Sequence, residues 1–354
     1  MASPKKYFTF VADVFRFCAS GLSAVAILNL LFAFYYRLPL HSDNSRRTSD
    51  YVWEAGSSWV KMTEGISWGR MDADGFNNRA LVRNPDMLIL GSSHMEATNV
   101  CQDEHTASRL QAYMAERGVD VAVYNRGISG HHFLKCVKYL GENAKAESVR
   151  YIAIETSRVD FTADEIEKLF ADEIDVAPSY SAGILFYLQK LPLFRLLYLQ
   201  VHDGLITLFL SRRAVPSSAG KNARQDESAE TIRTAYEKLF SYISAHANGK
   251  RVIIFYHPTG TPDAAGNLVY DTDSNYLSAF FAAAKHHGIS FIDLTAATDD
   301  LWRREHKTTH GFCTGTAFSG HLNRNGHALA ARALADAILA DAMTSCRGKN
   351  NVAL

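Results

Sequence analysis

A parallel α/β sheet with helices on both faces, preceded by one membrane-crossing helix, is the fold class that the 354-residue sequence predicts. Three observations predict it. An uncharged apolar run lies near the start, short apolar strand-like runs alternate with helical stretches, and glycine- and serine-containing turns close those runs. Composition excludes other classes: Lys+Arg and Asp+Glu each number 37 and 47% of the chain is hydrophobic, which suits neither a polybasic nucleic-acid binder nor a disordered chain. No nucleic-acid partner is expected. The 14 histidines show no clustered spacing, and Cys18, Cys101, Cys136, Cys313 and Cys346 are too widely spaced for a zinc pattern, so neither a metal nor a cofactor is expected. The cysteines beyond Cys18 leave disulfides and free thiols both open.

From Phe17 to Tyr36 about twenty residues carry no charge, enough for a helix across a hydrocarbon layer about 30 Å thick. Lys5, Lys6 and Arg16 precede this run and Arg37, Arg46 and Arg47 follow it, so flanking charge does not orient it. Its bulky end, Phe34–Tyr35–Tyr36–Arg37, argues for an uncleaved anchor over a cleaved signal peptide. The expected organisation is a cytoplasmic stretch 1–16, a span 17–36, a juxtamembrane spacer 37–80, an α/β domain 81–345 and a tail 346–354. The spacer holds Trp53, Trp59 and Trp68 and the turn-like Asp72–Arg79.

Strands are predicted at Met87–Leu90, Val121–Asn125, Val149–Glu155, Arg251–Tyr256 and Ser290–Leu294. Helices are predicted through Leu110 and Met114 up to Gly118, over His132 to about Leu140, and at Ser228–Ala247, Asn275–His287 and Gly326–Met343. Between the third and fourth strands lies an insertion, about 162–230, whose first half holds the apolar stretch Ala182–Leu210. Lys190, Pro192, Arg195 and Asp203 interrupt it, so it reads as helices that either cap the core or dock on a membrane or a membrane partner, and not as a second span. Ser211–Ser228 reads as a polar loop.

The chemistry-bearing residues sit at the ends of these strands. Gly91–His94, GSSH, puts Ser93 at a strand-to-helix turn, where a hydroxyl is exposed above the sheet and can act as a nucleophile. Asn125–His132, NRGISGHH, supplies glycines whose amides can approach an oxyanion. His321 lies in a loop ahead of the last helix, placed to serve as the general base that a hydroxyl needs. His94 and His257 are candidate pocket-lining residues, with His131 and His132 similarly placed. His286 and His287 read as helix-end residues, and His327 as structural.

The order LGSS, NxGxSG and HLNxxGH resembles the SGNH, or GDSL-like, hydrolases and their membrane-anchored relatives in bacterial envelope polysaccharide acylation. The resemblance covers roughly Asp72 to Met343. It implies a three-layer, flavodoxin-like sheet, Ser93 as nucleophile, His321 as base, and Gly130 and the Ser93 amide as oxyanion donors; Asn125 belongs to the same site-lining block. The family's Asp three residues before the histidine is Phe318 here, which leaves Asp293, Asp299, Asp300 or a backbone carbonyl to orient the imidazole. The family's third-block Asn is absent, leaving Thr156, Ser157 or Arg158 in its place. The resemblance further implies a single-pass inner-membrane protein with its domain in the periplasm. It would be an esterase or O-acyltransferase acting on envelope-glycan acyl esters, with a multi-span acyltransferase as a possible partner. Two rivals stand beside it: a non-catalytic glycan-binding subunit on the same fold, and a phospholipid or lipoprotein esterase.

Overall fold

The computed structural model describes residues 4–37, 52–62, 64–171, 191–194, 197, 227–313 and 317–350. Contacts divide the chain into two compact units, residues 1–38 with 179–214, and the remainder.

In the first unit α1 runs over Pro4–Tyr35, and its stretch Thr9–Tyr35, 27 residues with none buried, is long and apolar enough to cross a membrane. The helix starts earlier than the charge-free run and takes in Asp13 and Arg16, which pair at 3.3 Å. Asn29 lies on the same helix, and its side-chain oxygen accepts the Leu193 amide at 3.2 Å. An amide at a helix start has no partner of its own, and this contact supplies one. Most of the predicted apolar stretch Ala182–Leu210, and the polar loop after it up to residue 226, lie outside the described residues.

The second unit is built on five parallel strands: β3 (Met87–Gly91), β4 (Val123–Gly127), β5 (Tyr151–Thr156), β6 (Arg251–Tyr256) and β9 (Ser290–Asp293), in the order β9-β6-β5-β3-β4. Every residue of β3 and β5 is buried, as expected for strands covered on both faces. Alternation sorts their side chains into two layers. Leu88, Leu90, Ile152 and Ile154 pack with Phe133 and Val137 of α4 (Phe133–Lys138), Leu140 of α5 (Leu140–Asn143), Ile166 of α6 (Ala163–Phe170), Tyr236 and Phe240 of α7 (Ala229–His246) and Phe280 of α8 (Ser274–His286). Met87, Ile89, Ala153 and Ile253 pack with Leu110 and Met114 of α3 (Thr106–Glu116) and Leu334 and Ile338 of α10 (Arg324–Asn350). The three-layer fold class read from the sequence is the one observed.

Three elements depart from the sequence reading. The expected spacer contains an antiparallel hairpin, β1 (Ser58–Lys61) with β2 (Ser67–Arg70), packed around fully buried Trp59 together with Trp53 and Met71. A second hairpin, β7 (Gly260–Pro262) with β8 (Leu268–Tyr270), follows β6. Helix α9 (Thr295–Glu305) follows β9; its sequence TAATDDLWRRE is too polar to show a buried face by pattern. The described thiols Cys18, Cys101, Cys136 and Cys313 are free.

Leu334 is fully buried between α3 and the sheet, so Leu334→Ala leaves a cavity. Urea unfolding of the full chain in detergent is expected to show a loss of about 2–5 kcal/mol. A loss under about 1 kcal/mol would mean that this layer is not packed as described.

Candidate active site

The site forms where the strands end. After β3, Ser92 caps the short helix α2 (Ser93–Glu96) by accepting the His94 amide at 3.3 Å, and Ala97 closes it in a left-handed conformation with φ 54°. Ser93 therefore stands on a sharp strand-to-helix turn. Its Oγ lies 2.9 Å from Nε2 of His321.

His321 is held by the turn before α10. The Gly311 amide donates to the His321 carbonyl at 3.1 Å, His310 and Leu322 form a β-bridge, and the Asn323 side chain donates to the carbonyls of Thr308 and Gly311, both at 3.0 Å. On its other side the His321 imidazole meets a carboxylate that the sequence reading did not single out. Nδ1 lies 2.9 and 2.8 Å from Oε1 and Oε2 of Glu64, and the His321 amide also donates to Oε1 at 3.0 Å. Gly320, at φ 83°, permits this approach, since a Cβ there would come within 2.6 Å of Glu64 Oε1.

Glu64 lies in the turn between β1 and β2 and is itself anchored. Asn99 Nδ2 donates to its Oε2 at 3.1 Å, and Lys61 Nζ donates to Asn99 Oδ1. Partial burial works to raise the Glu64 pKa, but the side-chain and backbone hydrogen bonds from His321, with the charge of Lys61, outweigh it and bring it to about 2. An ionised carboxylate only accepts, so His321 Nδ1 carries the proton and neutral Nε2 presents a lone pair to the Ser93 hydroxyl. Lys61 is shifted downward by burial, against the pull of Glu64 and Glu96.

The residues proposed in place of the missing Asp are engaged elsewhere. Asp293 accepts the Thr295 amide at 2.9 Å, Asp299 accepts the Tyr270 hydroxyl at 2.7 Å, and Asp300 pairs with Arg304. Phe318 takes φ 64° and packs edge-on against Trp302 at 5.1 Å.

In the loop after β4, Gly130 sits at φ 84° with open space around it, and Ser129 ties that loop down by donating its hydroxyl to Glu96. Trp53 Nε1 donates to the same carboxylate at 2.6 Å. Glu96 is fully enclosed, and burial raises its pKa against those hydrogen bonds.

Asn125 does not line the site. It is buried, its Nδ2 donates to the Met95 carbonyl at 2.7 Å and its Oδ1 accepts the Gly127 amide at 2.9 Å, so it fastens α2 to β4. Arg158 is also removed from the oxyanion role. Its guanidinium donates to Asp160 Oδ1 at 3.0 Å, to the Asp160 carbonyl at 2.9 Å and to Glu165 Oε2 at 2.7 Å, at the start of α6. Thr156 turns its hydroxyl onto the Arg158 carbonyl. His257 is 2% exposed and faces the protein interior: its Nε2 is 2.7 Å from Glu155 Oε1 and its Nδ1 is 3.1 Å from His310 Nε2. His94 accepts the Leu322 amide on Nδ1 at 3.1 Å, which pins the His321 loop to the Ser93 turn. His131 stacks on Tyr139, and buried His327 meets the Thr106 hydroxyl at 2.9 Å. His286 and His287, at the end of α8, hydrogen-bond to Glu237 of α7 at 2.8 and 3.0 Å.

His94, His257 and His310 bring ring nitrogens within 4.8 Å of one another, close enough to suggest a metal centre. Hydrogen counting argues against one in this arrangement. His94 spends its lone pair on Leu322 N–H; His257 donates to Glu155 and accepts from His310, whose Nδ1 accepts from Thr309 at 3.1 Å. Burial, reinforced by the neighbouring imidazoles, lowers His94 to about 3 and His310 to about 2, so both are neutral.

The fold and the Glu64–His321–Ser93 line together define a parallel α/β domain carrying a serine–histidine–carboxylate triad geometry at the carboxyl edge of its sheet. The chain is similar to a lipase/acylhydrolase from Enterococcus faecalis, at 14% identity and TM-score 0.38 over 71% of this chain and 94% of that one. It is also similar to a catalytic mutant of Axe2, an acetylxylan esterase from Geobacillus stearothermophilus, at 12% identity and TM-score 0.38 over 72% and 94% of the two chains. A third similar structure is the acetyl xylan esterase AlAXEase, at 12% identity and TM-score 0.39 over 71% and 99%. No protein-family model and no curated protein matches the sequence.

The depressed pKa of Glu64 sets a direction for pH. Its unfolded value is near 4.3, so its stabilising contribution is complete above that pH and is lost as pH falls toward about 2. The stability gap between wild type and Glu64→Gln, measured by urea unfolding, is expected to be constant from about pH 7 to 5 and to narrow from about pH 4 to 3. A gap that widens as pH falls from about 4 to 3 would contradict an ionised Glu64.

Proposed function

We propose that this protein is a serine enzyme that cleaves or transfers acyl esters through an acyl-Ser93 intermediate. The observation that carries the reading is the unbroken line from Glu64 through His321 to Ser93, at 2.8 and 2.9 Å. His321 Nε2 takes the hydroxyl proton as Ser93 Oγ attacks the ester carbonyl. The Ser93 amide and the Gly130 amide are the proposed donors to the resulting oxyanion. When the adduct collapses, the imidazolium returns that proton to the departing alkoxide, and the acyl group remains on Ser93. In the second half His321 deprotonates the acceptor, which attacks the acyl carbon and restores the hydroxyl. Glu64 stays ionised throughout and stabilises the imidazolium formed in each half.

The substrate we assign is an O-acyl, foremost O-acetyl, ester of a bacterial envelope polysaccharide, with α1 anchoring the domain on the periplasmic side of the inner membrane. Support comes from the motif resemblance of LGSSH, NRGISG and HLNRNGH and from a helix able to cross a membrane. With water as acceptor the protein is an esterase. With a sugar hydroxyl it is an O-acyltransferase, fed by a multi-span membrane acyltransferase.

A fluorophosphonate probe on the full chain in detergent is expected to modify Ser93, with no adduct in Ser93→Ala and a rate at least about 10³-fold lower in His321→Ala. Glu64→Gln is expected to slow modification by on the order of 10³-fold, because the amide no longer fixes the imidazole tautomer. A wild-type chain that takes up no probe would favour a non-catalytic glycan-binding role. With an acetylated polysaccharide, free acetate identifies the esterase, and acetyl moved to an added oligosaccharide identifies the transferase.

A further inference from the structure

Beneath the triad runs a second buried line that the reaction does not use directly. Glu155 is the next-to-last residue of β5 and is 2% exposed. Its Oε2 accepts the Ser92 amide at 2.8 Å, and its Oε1 faces His257 Nε2 at 2.7 Å. His257 passes the line to His310 at 3.1 Å, and His310 to the Thr309 hydroxyl at 3.1 Å. The far end is fixed to the base loop, since the Asn323 amide donates to the Thr309 carbonyl at 3.0 Å and His310 bridges to Leu322, the residue after His321.

We propose that Glu155 is a positioning residue for the proposed reaction: through Ser92 on one side and His257–His310–Thr309 on the other, it sets the separation between the Ser93 hydroxyl and the His321 imidazole. The inference rests on the acyl-Ser93 reading above.

Three arguments support it. Each oxygen of the carboxylate receives one donor, so its orientation is determined from both sides. Burial opposes its ionisation, but the hydrogen bonds from His257 and from the Ser92 amide outweigh that and hold it at about 2. A buried carboxylate with this many partners costs too much to remain unless its geometry is kept. Space is also reserved for it, since a Cβ on Gly91 would lie 2.8 Å from Glu155 Oε2. The line joins the ends of β3, β5 and β6 to the base loop, the elements whose spacing decides whether Ser93 and His321 meet.

Glu155→Ala removes the acceptor for both donors. Glu155→Gln keeps one oxygen for Ser92, and its NH₂ can donate to His257 if the imidazole chain reverses its tautomers, so it is the conservative rescue. The experiment measures fluorophosphonate modification of Ser93 over a range of probe concentrations, and hydrogen exchange of the peptide containing Ser92, on the full chain in detergent. Glu155→Ala is expected to lower the saturating rate by about 10²-fold with half-saturation within about twofold, and to expose the Ser92 amide to exchange. Glu155→Gln is expected to recover the rate to within about tenfold of wild type. A folded Glu155→Ala chain that is modified at the wild-type rate, or that keeps its Ser92 amide protected, would overturn the proposal. If Glu155→Ala does not fold, His257→Ala replaces it, with the same expected loss and His257→Gln as its rescue. A wild-type chain that takes up no probe defeats the acyl-enzyme reading instead, and the exchange comparison still decides whether Glu155 holds the Ser92 turn.

Discussion

A single acceptor contact fixes the state of the whole site. Histidine can put its proton on either ring nitrogen, and only one choice leaves Nε2 free to take a proton from Ser93. Glu64 makes that choice because an ionised carboxylate cannot donate. It binds the His321 backbone amide as well as the ring, so the loop and the imidazole are held by one group. The other parts of this region serve the contact. Asn99 and Lys61 hold the carboxylate, Gly320 clears space for it, and the Trp59 core makes the β1–β2 hairpin rigid enough to present it.

The sheet supplies the second constraint. Within β3 and β5 the side chains are apolar along most of their length, and polar groups appear only where the strands end. Ser92, Glu155 and His257 are brought together there because parallel pairing aligns the carboxyl ends of three neighbouring strands. Their burial would be costly if they were unpaired. Instead donors and acceptors alternate from the Ser92 amide to the Thr309 hydroxyl, and the acidic end is ionised while His310 stays neutral.

The fold was legible because its signals are local. All five parallel strands are apolar runs whose predicted limits fall within two residues of those observed, and the long helices show their buried faces by spacing. Ser93 and His321 were legible because glycine-, serine- and asparagine-rich turns surround them. Glu64, Glu155 and His310 left no such trace. Glu64 lies 257 positions from the histidine it orients, in a turn with nothing to set it apart, and Glu155 reads as the last residue of an apolar strand. Asn125 and Arg158 misled for the opposite reason. Both stand in the right segments, but side chains close by in space claim their hydrogen bonds first.

Moving the carboxylate from the histidine's own loop to a distant hairpin changes what the site depends on. An aspartate three residues before His321 would orient the ring by local geometry alone. Here that position is Phe318, whose ring packs on Trp302, so His321 has its tautomer set only when residues 52–71 are folded against the domain. The same segment reaches the other side of the site, because Trp53 binds Glu96 and Glu96 holds Ser129, next to Gly130. His321 and the loop proposed to stabilise the oxyanion therefore share one support. A stretch that composition marks as a spacer between apolar helix and domain is, physically, the part that completes the geometry on which the proposed chemistry rests.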